Sequence, residues 1–105
     1  MSTITELNDS FRRTFAAGRV MMTSGVAALN SVTQLAVLTK VKGFDNFTSD
    51  NDPHGEHDFG SFEFEGEKFF WKIDYYAPDL EHGSEDPADP NQTTRVLTIM
   101  LAEEY

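Results

Sequence analysis

Apolar residues at Ile4, Leu7, Phe11 and Phe15 fall three, four and four positions apart, the spacing that lines one face of a helix. Thr3-Ile4-Thr5-Glu6 opens this run with capping-box spacing, so Thr3 is expected to cap while Glu6 reaches back toward the positive helix end. Arg12 and Arg13 suit the last turn, and Gly18 supplies a stop. Residues 19–23 read as a strand, which Ser24-Gly25 interrupts. Ser31-Val32-Thr33-Gln34 repeats the capping-box spacing. It opens a second helix with Leu35, Leu38, Val41 and Phe44 as its apolar positions and Gly43 near its end.

Residues 45–58 are rich in Asp, Asn, Ser, Pro and Gly and read as loop. The period then changes to two in SFEFEGEKFFWKIDYY. Gly66-Glu67 at the centre of a type II′ turn would set Glu65 opposite Lys68. Phe62, Phe64, Phe69, Trp71, Ile73 and Tyr75 share one face, and Ser61, Glu63, Glu65, Lys68, Lys72 and Asp74 share the other. Phe70 is the exception. A one-residue slip would mix the two sets, so the faces are well specified. Residues 77–91 form a second loop with three prolines and five carboxylates. The terminal TTRVLTIML is apolar on both alternating rows, as a strand buried on both sides requires. The order α-β-α-β-β-β implies a single α+β domain over residues 1–105. Its expected form is a mainly antiparallel four-stranded sheet with two helices packed on one face.

Composition narrows the chemistry. Nine Phe, three Tyr and one Trp supply the core of this 105-residue chain, and the absence of cysteine excludes disulfide, zinc-thiolate and thiol-nucleophile chemistry. The net charge of −10 disfavours direct binding to nucleic acid or to an anionic membrane surface. The N-terminus lacks a basic region followed by an apolar one, and no apolar run approaches transmembrane length, so a cytoplasmic location is expected. No cofactor is called for.

The charge is uneven. Residues 1–44 hold two carboxylates and five basic side chains, whereas residues 45–89 hold fourteen carboxylates and two lysines. In an antiparallel hairpin the segment before the first strand and the segment after the second leave from the same end. Asp45, Asp50, Asp52, Glu56 and Asp58 should therefore meet Asp79, Glu81, Glu85, Asp86 and Asp89 there. Glu63, Glu65 and Asp74 would extend the acidity along the sheet. Concentrated like charge costs stability unless a cation or a basic partner answers it.

Two metal readings compete with a protein-binding one. Asp50-x-Asp52-x-His54-Gly55-Glu56-x-Asp58 imitates the start of a calcium-binding EF-hand loop. Ser61 stands where the bidentate Glu belongs, however, Pro53 intrudes, and a strand follows instead of a helix. His54, Glu56, His57 and Asp58, with His82 from the second loop, are transition-metal ligand types and could also serve a hydrolytic enzyme. Their spacing is not the helical H-E-x-x-H. Turn formation and local capping account for these residue types more simply. Thr23-Ser24-Gly25 lacks the lysine and glycines of a phosphate loop. Trp71 and Tyr75 belong to the core face, not to a base-stacking surface.

The stretches NDPHGEHDFGSFE, FFWKIDYY and DPADPNQTTRVLTIMLAEEY, with TELNDSFRR and RVMMTSGVAAL, resemble a family of small bacterial proteins known as a domain of unknown function. The resemblance covers nearly the whole chain and implies carriage on mobile elements near anti-restriction-type genes. It supplies no catalytic residues. Joined to the charge map, it leads to an expected inhibitor of a CRISPR or restriction complex that fills a basic nucleic-acid channel in place of DNA. The expected partner-binding residues are Asp50, Asp52, Glu56, Asp58, Glu63, Glu65, Glu81, Glu85, Asp86 and Asp89. The alternatives are the small metal-dependent or hydrolytic enzyme and an antitoxin or immunity module that binds a basic protein.

Overall fold

The structure is a computed structural model that describes residues 3–105. Helix α1 spans Thr3–Thr14, strand β1 Arg19–Met22, and the one-turn helix α2 Ser24–Ala27. Helix α3 spans Ser31–Lys42, followed by β2 (Phe59–Phe64), β3 (Glu67–Tyr76), β4 (Thr94–Leu101) and a 3₁₀ turn at Ala102–Glu104. The fold is α+β with one four-stranded open sheet, in the order β1-β4-β3-β2.

The sheet is mixed, with two antiparallel pairs and one parallel pair, and among the described residues three helices accompany it rather than two. β4 pairs antiparallel with β3 but parallel with β1. Chain length permits the parallel pair, because β1 and β4 are separated by two helices and the hairpin, ample for a crossover. β4 occupies an interior position, as its two apolar rows demand, with Leu97 and Ile99 fully buried. Burying a side chain such as Leu97 contributes about 1.5–3 kcal/mol. Ser24-Gly25 does not simply break the strand. Thr23 is the N-cap residue of α2, which places Val26 in the core.

The β2–β3 turn lies one residue earlier than expected. Glu65 and Gly66 both have positive φ, 53° and 80°, as a type I′ turn requires, and Glu63 rather than Glu65 faces Lys68. This moves the register by two residues, so the apolar and polar faces survive. Phe69, Trp71 and Ile73 are buried. Gly60 lies opposite Trp71, and a Cβ there would stand 2.5 Å from the indole Nε1 and 2.8 Å from the Phe44 ring. The glycine therefore makes room for the tryptophan. Phe70 on the opposite face packs with Phe59 and Tyr105, ring centroids 5.3 and 5.2 Å away.

Both long helices bury only part of the faces expected: Phe11, Val41 and Phe44 are buried and Phe15 and Leu38 pack against the core, but other residues share those faces. Val37 and Val41 of α3 are fully buried, whereas Leu35 is 65% exposed. Apolar residues lie on both sides of this helix, so spacing alone does not select the inner one. Asn30, not Ser31, caps α3, its side chain accepting from the Thr33 amide. In α1, Thr3 already belongs to the helix, which ends at Thr14, well before Gly18. Its buried residues are Thr5, Asn8, Asp9, Phe11 and Arg12, while Ile4 and Leu7 are only half-buried. A polar row at 5, 8, 9 and 12 thus faces inward, and it organises the loops.

Candidate functional site

That inward polar row meets the loop of residues 45–58. The Thr5 hydroxyl donates to the Gly55 carbonyl at 2.6 Å. Arg12 donates to Asp9 at 2.9 Å and to the Phe44 carbonyl at 3.0 Å, with its guanidinium against the faces of Phe47 and Trp71. His57 has a positive φ of 55° and stacks on Phe47 with ring centroids 3.9 Å apart. Its Nδ1 lies 2.9 Å from Asp9, and its Nε2 lies 3.6 Å from Asp52. Burial works against ionisation of Asp9, but hydrogen bonds from Arg12 and His57 outweigh it and hold its pKa below the ordinary value.

Asn8 joins this loop to the second one. Its Nδ2 donates to the Glu56 carbonyl at 2.9 Å and to the Tyr75 hydroxyl at 2.8 Å. Its Oδ1 accepts from Arg95 Nε at 2.7 Å, and Arg95 Nη2 donates to the Pro87 carbonyl. Asn8 is fully buried, so one side chain, helped by one arginine, ties both acidic loops to the same end of the sheet. Tyr75 completes the tie by donating to the Glu56 carboxylate at 2.9 Å. Burial pushes the Tyr75 phenol well above its ordinary range, so it remains a donor at neutral pH.

Within residues 77–93 the acidic side chains shape turns. Asp79 accepts from the Glu81 and His82 amides and from His82 Nδ1, and its pKa falls to about 2, chiefly through the Glu81 amide. Asp86 accepts from the Ala88 amide, and Asp89 from the Asn91 amide and the Gln92 side chain. The Tyr76–Gly83 bridge and the Ser84 amide bonded to the Tyr75 carbonyl at 3.0 Å fasten the loop to β3.

The expected partner-binding carboxylates therefore occupy different surroundings. Asp50, Glu81, Glu85 and Asp86 are exposed in the two loops. Asp52 is buried, with its carboxylate accepting from the His57 amide. Glu56 is half-buried and held by Tyr75, and Asp89 is half-buried in its turn. Asp58 is half-buried, and burial, reinforced by the neighbouring Glu56 charge, raises its pKa. Glu63 and Glu65 are exposed but sit at the hairpin turn, the opposite end of the sheet from the loops.

The suggested metal ligands do not converge. His57 is turned to Asp9 and Glu56 to Tyr75, while His54 is exposed. Among the described residues, the group with metal-compatible donor spacing is Asp79, Glu81 and His82, all exposed. Asp79 is already engaged there by two amides, so the arrangement is that of a self-capped turn. No helix among the described residues is long and apolar enough to cross a membrane.

Residues 22–104 match the model of a family described as Protein of unknown function (DUF3768). The chain belongs to that family. No curated protein and no solved structure matches it. The part matched to DUF3768 takes in both acidic loops and strands β2, β3 and β4, whereas all of β1 but Met22, and Asn8, which joins the loops from α1, lie before it. Asn8 and Arg95 escape a reading of the sequence that follows apolar spacing alone. The signal that would have found Asn8 is the helical spacing of the polar residues Thr5, Asn8, Asp9 and Arg12.

Proposed function

We propose that this DUF3768 member is an acidic inhibitor that occupies the basic nucleic-acid channel of a bacterial CRISPR or restriction complex in place of DNA. In this reading the chain works in the cytoplasm, and it is bacterial and carried on mobile elements, as the sequence resemblance implies. The observation that carries it is the joining of two long acidic loops through the buried Asn8. Long irregular loops lose much conformational entropy when a partner orders them. Here the backbone of both loops is already held by interior hydrogen bonds, so Asp50, Glu81, Glu85 and Asp86 form a preorganised anionic end. Their role is to pair with Arg or Lys side chains that otherwise hold phosphates.

The test is a pull-down with purified CRISPR effectors and restriction enzymes, repeated across a salt series. Capture that weakens as salt rises, with affinity reduced about tenfold or more by joint Glu81→Lys, Glu85→Lys and Asp86→Lys, supports the proposal. Capture indifferent to these reversals removes the loop end from the interaction.

A further inference from the structure

Asp52-Pro53, Asp86-Pro87 and Asp89-Pro90 are aspartyl–prolyl bonds, the peptide link most open to attack by its own side chain. The aspartyl carboxylate can close a cyclic anhydride on its own carbonyl carbon, and the tertiary-amide nitrogen of proline leaves readily once protonated. The three carbonyls are alike in accepting a loop amide: Asp52 from Gly55 at 3.1 Å, Asp86 from Asp89 at 2.9 Å and Asp89 from Gln92 at 3.0 Å. Their side chains are not alike. Asp86 is exposed and Asp89 half-buried, and among the described residues neither pairs with a histidine. The Asp52 side chain is only 5% exposed, and its two oxygens lie 3.2 and 3.3 Å from the His57 amide. His57 Nε2 stands 3.6 Å from the same carboxylate. Asp9 at Nδ1 and the Phe47 ring fix the imidazole there, yet it is 25% exposed and can exchange protons with water.

We propose that this protein cuts its own chain at Asp52–Pro53, with Asp52 as nucleophile and His57 as proton donor. An Asp52 carboxylate oxygen bonds to the Asp52 carbonyl carbon, the bond from that carbon to the Pro53 nitrogen breaks, and the nitrogen takes a proton from the His57 imidazolium. One water then opens the anhydride and a proton returns to His57. The products are a C-terminal Asp52 and an N-terminal Pro53, and only water is consumed. Holding carboxylate, carbonyl and imidazole in place removes much of the entropic cost of ring closure. Strand β1 of the first fragment pairs with β4 of the second, so the pieces stay together in the fold. The reaction uses none of the exposed carboxylates assigned to the partner, and the inference stands apart from the inhibitor proposal.

The test incubates the native protein at mildly acidic pH, in buffer and in urea, and follows it by denaturing electrophoresis and intact mass. Fragments 1–52 and 53–105 are expected, with masses that sum to the intact chain plus one water. They should form about tenfold faster, or more, than cuts at Asp86–Pro87 or Asp89–Pro90. Urea should remove that preference. Added hydroxylamine should be captured as a hydroxamate on residue 52, which marks the anhydride. Asp52→Asn, which cannot form the anhydride, should stay whole, and His57→Gln should slow the cut about tenfold with native near-UV circular dichroism. No cut in the native protein, or equal cutting at the three bonds, overturns the proposal whatever the variants do. A fragment 1–52 that never carries hydroxamate, or an undiminished rate in folded His57→Gln, overturns it as well.

Discussion

Gly60 and Asn8 carry consequences beyond their size. Adding a methyl group at Gly60 forces it against the Trp71 indole and the Phe44 ring, both buried. Gly60→Ala is expected to cost about 1–3 kcal/mol by overpacking, measured as a lower urea midpoint with an unchanged slope. At Asn8, truncation would leave the Arg95 Nε donor and the Glu56 carbonyl unpaired in the interior. Asn8→Ala should cost on the order of 3 kcal/mol. Its more specific signature is local, since amide exchange should accelerate in both residues 45–58 and residues 77–93. Acceleration in one loop alone would show that Asn8 does not join them.

The loop of residues 45–58 responds to pH through two carboxylates of opposite behaviour. Asp9 has a folded pKa below the ordinary 3.8, so its contribution is complete above that value and is lost as pH falls through the lower folded one. Asp58 has a folded pKa above 3.8, so its buried charge costs stability at neutral pH, and that cost is relieved as pH falls through the raised value. Chemical melts are expected to show stability rising modestly as acidification from neutrality protonates Asp58, then falling in stronger acid as Asp9 protonates. Asp58→Asn should stabilise the neutral protein and shrink the rise; an undiminished rise would assign it to other groups. Elements differed in how far their patterns could be read. The hairpin faces were legible because period-two alternation survives a two-residue change of register, as the move from Gly66-Glu67 to Glu65-Gly66 shows. The inner face of α3 was not, because Val32 and Leu35 are as apolar as Val37 and Val41 yet face solvent. The parallel β1–β4 pair was also hidden, since which strands become neighbours depends on packing among distant segments rather than on local spacing. In α1 the polar residues, not the apolar ones, reach the loops, so a reading by hydrophobicity alone passes over what holds the acidic end.

The molecule as a whole separates its charge by position. The five basic side chains of residues 1–44 precede a stretch with fourteen carboxylates, and the two loops within that stretch leave one end of the sheet together. Shared placement of the loops was legible from hairpin topology. The withdrawal of Asp52 and the partial withdrawal of Glu56 and Asp58 was not, because a carboxylate drawn as loop can equally be an interior acceptor. What remains outside is a smaller anionic end held from within, and the inhibitor proposal depends on it. Displacement of fluorescent DNA from a panel of purified CRISPR effectors and restriction enzymes tests that proposal most directly. The native protein is expected to displace DNA from at least one member, with displacement weakened by salt and abolished by joint Glu81→Lys, Glu85→Lys and Asp86→Lys in a chain that still folds. No displacement from any member, or displacement that survives the triple reversal, would contradict it.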